Sequence, residues 1–192
     1  MSETETGRIV LVTGGARSGK STFAENLAAK SGARVAYIAT AQVYDEEMRF
    51  RVSLHQKRRP GNWQTYEAPF DAGNAIQAAS EKNEVLLFDC ITLYLSNLLC
   101  SLPEGELADQ DRIYALTSQK IGELVSAAQM AAASGRTVIF VTNEVGAGIV
   151  PENKLSRIYR DISGLANQQL ARAASDVFAV IAGIPVNIKA LA

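Results

Sequence analysis

The chain has 192 residues, 47% of them hydrophobic and 20% charged, which fits one folded domain and excludes a disordered chain or a disulfide-stapled miniprotein. Nineteen basic residues against 20 acidic ones leave a net charge of −1, so no global field draws the protein to nucleic acid or to an anionic membrane. No apolar run reaches the roughly 20 residues of a membrane span, and the polar, acidic start is unlike a signal peptide, so a cytoplasmic protein is expected.

A polar tail over residues 1–7 is expected to precede a single catalytic domain over 8–192. Residues 8–13 read as a buried parallel strand, running directly into a glycine-rich turn and a helix from Lys20 to about Lys30. A second strand is expected over 34–38 and a polar helix over 45–57, ended by Pro60-Gly61. A short strand follows at 63–66, then a helix capped by Asp71 and reaching about Ser80. Residues 84–89 form the next buried strand, and helices are expected at 91–101 and 109–133. Residues 137–142 read as strand, 153–174 as a long amphipathic helix, and 177–182 as the last core strand. Gly183 and Pro185 suggest a turn into an edge strand at 186–189. Strands alternating with helices predict an α/β fold with a mostly parallel sheet covered on both faces.

Gly14-x-x-x-x-Gly19-Lys20-Ser21 carries the strongest chemical signal, because it follows a strand and opens a helix. Glycines at Gly14, Gly15 and Gly19, with Ala16, Arg17 and Ser18 between, let successive N–H groups converge on phosphate oxygens. Lys20 supplies charge for the β- and γ-phosphates, and Ser21 offers a hydroxyl to Mg²⁺. Asp89, ending the strand 84–89, stands where the metal-side Walker-B carboxylate belongs, although the N-cap of the helix after it is an open alternative. An Asn-Lys-x-Asp guanine-reading motif is missing, which argues against a switch GTPase. Cys90 and Cys100, ten residues apart, cannot make a zinc site and are expected to be reduced and half-buried.

His55 is the only histidine. Between Glu47 and Glu67 there is no acid, whereas Arg49, Arg51, Lys57, Arg58 and Arg59 are all basic. Such a field suits a triphosphate and keeps the imidazole neutral and nucleophilic.

The combination of the phosphate loop, Tyr37-Ile38-Ala39-Thr40, Asp45-Glu46-Glu47-Met48, His55 with Arg59-Pro60, and Val141-Thr142-Asn143-Glu144-Val145-Gly146 through Pro151-Glu152-Asn153 resembles the bifunctional adenosylcobinamide kinase / adenosylcobinamide-phosphate guanylyltransferase family. The resemblance spans residues 8–189. It implies a three-layer P-loop NTPase fold of RecA-like type with an antiparallel edge strand. It also implies two reactions, phosphorylation of the aminopropanol hydroxyl of adenosylcobinamide by ATP or GTP and transfer of GMP from GTP to that phosphate. By the same resemblance His55 is the guanylylated nucleophile. Lys20 acts with the loop, Mg²⁺ joins the nucleotide through Ser21 and Asp89, and Ile38, Ala39 and Thr40 line the nucleotide site. Gln56, Lys57, Arg58 and Arg59 hold GTP, with contacts from Glu67 and Asp89, and the family assembles as homotrimers. A guanylyltransferase without the kinase step, a P-loop small-molecule kinase without a covalent intermediate and a nucleotide-dependent binding module remain alternatives.

Overall fold

The structure is a computed structural model and describes residues 7–43, 45–107 and 109–192, without the side chains of Arg51, His55 and Arg58. The expected tail therefore lies outside the described residues, apart from Gly7. Seven strands form one sheet: β1 (Arg8–Gly14), β2 (Val35–Ala39), β3 (Gln64–Glu67), β4 (Val85–Asp89), β5 (Thr137–Asn143), β6 (Asp176–Ile181) and β7 (Ile184–Asn187). Their order is β3-β2-β4-β5-β1-β6-β7, and only the β6–β7 pair is antiparallel. The helices are α1 (Lys20–Ser31), α2 (Glu46–Arg58), α3 (Ala72–Lys82), α4 (Ile91–Cys100), α5 (Glu104–Leu107), α6 (Gln110–Ala133) and α7 (Lys154–Ala173).

The two faces of the sheet are covered unequally. On one, Leu11, Ile38, Phe88 and Phe140 pack with apolar residues of α3, α4, α6 and α7. On the other, Val10, Val12, Tyr37, Leu87 and Val141 meet Ala24 and Ala28 of α1. Both sides of the central strands are therefore dry, which is why β1, β4 and β5 read as continuous apolar runs rather than alternating ones.

The sequence pattern misplaces three details. The edge strand begins at Ile184, two residues early, because Ala182 (φ 51°) and Gly183 (φ 82°) make a two-residue turn with both centres left-handed, the hairpin geometry that matches strand twist. Pro185 thus sits inside the strand, where an edge position tolerates its missing N–H. The short α5 and a final 3₁₀ turn at Lys189–Leu191 carry no periodic signal and were not expected. Asp71 does occupy the N-cap of α3, but its carboxylate accepts from the Asn74 side chain at 2.9 Å instead of from the backbone. Cys90 is buried as a small apolar residue would be, whereas Cys100 is exposed rather than half-buried, and both are free thiols. Among the described residues, no helix is long and apolar enough to cross a membrane.

Candidate active site

All the parallel strands end on one side of the sheet, and there the chemistry-bearing residues gather. The phosphate loop leaves β1 at Gly14, whose hydrogen faces the Val180 carbonyl so closely that a Cβ would stand 2.5 Å from the oxygen. Gly19 takes φ 93° at the N-cap of α1, with the Gly183 Cα 3.1 Å from where its Cβ would be. A side chain at Gly14 would have to displace β6, and one at Gly19 the β6–β7 turn. The loop is stitched at three further points: Ser18 N–H donates to Gly15 O (3.2 Å), Gly183 N–H to Ser18 O (2.8 Å) and Glu144 N–H to Gly14 O (3.1 Å). Because a glycine caps α1, no side chain takes up its first N–H groups, and an anion is their natural partner. Ala16 and Arg17 are exposed on the rim, Arg17 at φ 57°. Ser18 is half-buried, and its hydroxyl finds no partner among the described residues.

Lys20 is buried and folds back so that Nζ donates to Gly15 O at 3.1 Å. Burial lowers its pKa from the ordinary 10.5, while the neighbouring Cys90 sulfur and Asp89 carboxylate pull it back up. The cation is thus held in a largely dry place near the acid of β4. Burial also raises the Cys90 thiol to about 11, with the Asp89 charge adding to it, so this cysteine is inert rather than reactive.

Sheet register aligns three of the expected residues. Ala39 pairs with Glu67 on one side and with Asp89 on the other, so two carboxylates flank the end of β2. The Tyr37 hydroxyl donates to Asp89 Oδ2 at 3.1 Å, and the Arg59 guanidinium lies 3.6 Å above the centroid of the same tyrosine ring. Ile38 and Thr40, expected to line a nucleotide, are wholly buried. Ile38 belongs to the core, and the Thr40 hydroxyl bridges the Cys90 backbone, accepting from its N–H and donating to its carbonyl, both at 2.9 Å. Their contribution is therefore backbone placement, and Ala39 is the more open of the three. Ser21 is half-buried in the first turn of α1, while Gln56, Lys57 and Glu67 are exposed. The backbone of His55 lies in the last turn of α2; its side chain, like those of Arg51 and Arg58, is outside the described residues.

Three supporting residues escaped sequence reasoning. Asn97 of α4 is buried and donates to Thr40 O (2.7 Å) and Pro69 O (3.1 Å), tying the ends of β2 and β3 together. Asn167 of α7 accepts from the Thr142 hydroxyl (2.7 Å) and donates to Asn143 O (3.2 Å), which fixes the end of β5. Tyr37 is the third. Polar residues interrupting an apolar helix face or a core strand were the available signal.

A model of the family described as cobinamide kinase / cobinamide phosphate guanyltransferase matches residues 10–188. The chain belongs to this family. It is 44% identical over 184 residues to the bifunctional adenosylcobalamin biosynthesis protein CobU of Escherichia coli (strain K12), covering 94% of this chain and 99% of that protein. It is 41% identical over 180 residues to the protein CobP of the same description from Pseudomonas aeruginosa, covering 93% and 96%. Among solved structures it is similar to the RadB recombinase, with a TM-score of 0.51 at 14% identity, covering 91% of this chain and 74% of that one. That likeness concerns the fold, which is the P-loop NTPase architecture expected for the family. As in that architecture, β5 stands between the loop-bearing β1 and the acid-bearing β4.

A hydroxyl at Ser21 and a carboxylate at Asp89 are the hard oxygen donors that Mg²⁺ accepts. Among the described residues no three His, Cys, Asp or Glu side chains gather into a metal cage. The donor set fits a cation held mainly by phosphates and water.

Proposed function

We propose that this chain phosphorylates the aminopropanol hydroxyl of adenosylcobinamide, using ATP or GTP, and then transfers GMP from GTP to the new phosphate through a guanylyl-His55 intermediate. The observation that carries the reading is the family match over residues 10–188, joined to a phosphate loop and a strand-end carboxylate meeting at one sheet edge.

The loop amides and Lys20 grip the triphosphate and take up the charge that develops on its oxygens. Mg²⁺, held by Ser21 and Asp89 together with the nucleotide, would supply further charge neutralisation. In the phosphorylation, the substrate hydroxyl oxygen bonds to the γ-phosphorus, the bond to the β-phosphate oxygen breaks, and the hydroxyl proton leaves to solvent. In the transfer, a neutral His55 ring nitrogen bonds to the α-phosphorus of GTP as the bond to pyrophosphate breaks. An oxygen of adenosylcobinamide phosphate then bonds to that phosphorus, the P–N bond breaks, and the imidazole returns neutral. Two displacements thus replace one difficult one. Gln56, Lys57, Arg58 and Arg59 would hold GTP beside the nucleophile, with Glu67 at the rim. The working form would be a cytoplasmic homotrimer of single catalytic domains over residues 8–192, with the large corrinoid seated in a groove between subunits.

Incubation with GTP labelled at the α-phosphate tests the reading. The expected result is a protein-bound label that is acid-labile and alkali-stable, absent from His55→Asn and discharged by adenosylcobinamide phosphate. A label that persists in His55→Asn would remove His55 as nucleophile. No label at all, with corrinoid phosphorylation intact, would leave a kinase alone.

A further inference from the structure

Tyr37 touches both halves of the site. It lies mid-strand in β2, 5% exposed, among apolar residues of the α1 face of the sheet. Packing alone would be met by phenylalanine, so the hydroxyl needs a reason, and its acceptor is Asp89 Oδ2. At neutral pH a phenol keeps its proton, so the group is a donor. Donation to an ionised carboxylate is among the stronger hydrogen bonds, and it fixes the direction of the acceptor as well as its charge. On the face of the same ring sits Arg59, the C-cap of α2, whose backbone N–H closes the helix onto Gln56 O. Pro60 forces Arg59 out of the helix (φ −78°, ψ 143°), so the guanidinium is placed as the chain turns away. Four residues back along that helix is His55.

We propose that Tyr37 is a positioning residue: its hydroxyl orients the Asp89 carboxylate and its ring anchors the end of the helix bearing His55, so that the phosphate-binding half and the nucleophile half keep one geometry. The proposal rests on the guanylyl-transfer reading above. Asp89 serves both reactions, whereas the placement of α2 matters to GMP capture.

Two substitutions separate the two contacts. Tyr37→Phe keeps the ring and removes the hydroxyl, and Tyr37→Met removes both while filling the space. Thermal melts check that each folds, and Tyr37→Phe is close enough in shape to decide the hydroxyl's role by itself. Corrinoid phosphorylation and GMP capture are followed across a Mg²⁺ titration, and backbone amide exchange is followed over 46–58. In Tyr37→Phe the Mg²⁺ needed for half-maximal rate should rise about tenfold in both reactions, the loss expected of a hydrogen bond to a charged group. The ratio of the two rates, and the exchange of α2, should stay as in the wild type. Tyr37→Met should share the Mg²⁺ shift, slow GMP capture about another tenfold relative to phosphorylation, and speed α2 exchange, as loss of a half-buried cation–π contact requires. Unchanged Mg²⁺ demand in Tyr37→Phe overturns the role of the hydroxyl. A wild-type rate ratio and wild-type exchange in Tyr37→Met overturn the anchor. A uniform fall of both rates, with neither signature, reduces Tyr37 to packing. If the wild-type protein captures no GMP, the functional reading fails, and α2 exchange still decides the anchor.

Discussion

The phosphate loop and α2 lie at the same end of the parallel strands and are held by opposite means. The loop is fixed many times over, by two glycines whose surroundings oppose a side chain and by backbone bonds to the chain just past β5 and to the β6–β7 turn. In α2 none of the described side chains is buried, and Phe50 is 63% exposed. Asp45 caps its first turn, and at the other end Arg59 lies over the Tyr37 ring. A cradle for phosphates works by being rigid before the ligand arrives, because preorganised dipoles need no rearrangement when charge develops. On the proposed reading, a helix carrying a nucleophile that must first meet GTP and then yield to a corrinoid phosphate gains from a lighter tether.

The sharpest break of this contrast comes at Lys20. Lys20→Met should weaken GTP binding about 100-fold, the roughly 3 kcal/mol expected when a charge-assisted contact to phosphate is lost. Nucleotide-free stability should move the other way. Because burial lowers the lysine pKa, the folded state resists the cation, and below the folded-state pKa the wild type carries a penalty that methionine lacks. As pH climbs from that lowered value through 10.5, the unfolded chain holds the proton longer, so wild-type stability rises and its deficit against Lys20→Met closes. Titration calorimetry and melts across pH check both. A melting point that falls with affinity would make Lys20 a structural member of the loop rather than a poised charge.

These two regions also differ in how far the sequence discloses them. Gly14 through Ser21 is legible because Gly14 and Gly19 answer local steric demands, and strand, loop and helix follow one another without a break. Asp89 is legible for the same reason, being the carboxylate that ends an apolar strand. The aromatic floor under Arg59 is not, since it needs two residues 22 positions apart in the chain and a register that only the folded sheet supplies. Asn97 and Asn167 are hidden likewise, because helical periodicity says which face is buried but not that one polar group on it meets a strand end. The edge strand slipped by two residues because Ala182 gives no warning that it will adopt a left-handed conformation.

Gly19→Ala tests the rigid half at a single atom. The added methyl must accept φ 93° and meet the Gly183 Cα at 3.1 Å; strain of this kind is worth about 1–3 kcal/mol. For a domain of this size the melting point should fall by about 2–12 °C. Phosphorylation and GMP capture should drop together, since both need the same cradle. Loss of one activity without the other would mean that the two reactions seat their triphosphates differently.

The lighter half is tested by Asp45→Ala. Asp45 Oδ1 accepts from Met48 N–H at 2.7 Å, and Glu46 and Glu47 add favourable charge to the first turn. Removing the cap should destabilise α2 by about 1 kcal/mol. With no described side chain of α2 buried, the loss is not transmitted to the core. Exchange of the Met48 and Arg49 amides should therefore accelerate severalfold while the global melt scarcely shifts, a local opening in the sense of a low-stability unit. The Arg59 end should exchange as before, because its anchor on Tyr37 lies beyond the frayed turn. A melting point lowered as far as in Gly19→Ala would mean that α2 unfolds with the sheet. The contrast drawn from burial would then be one of exposure rather than of stability.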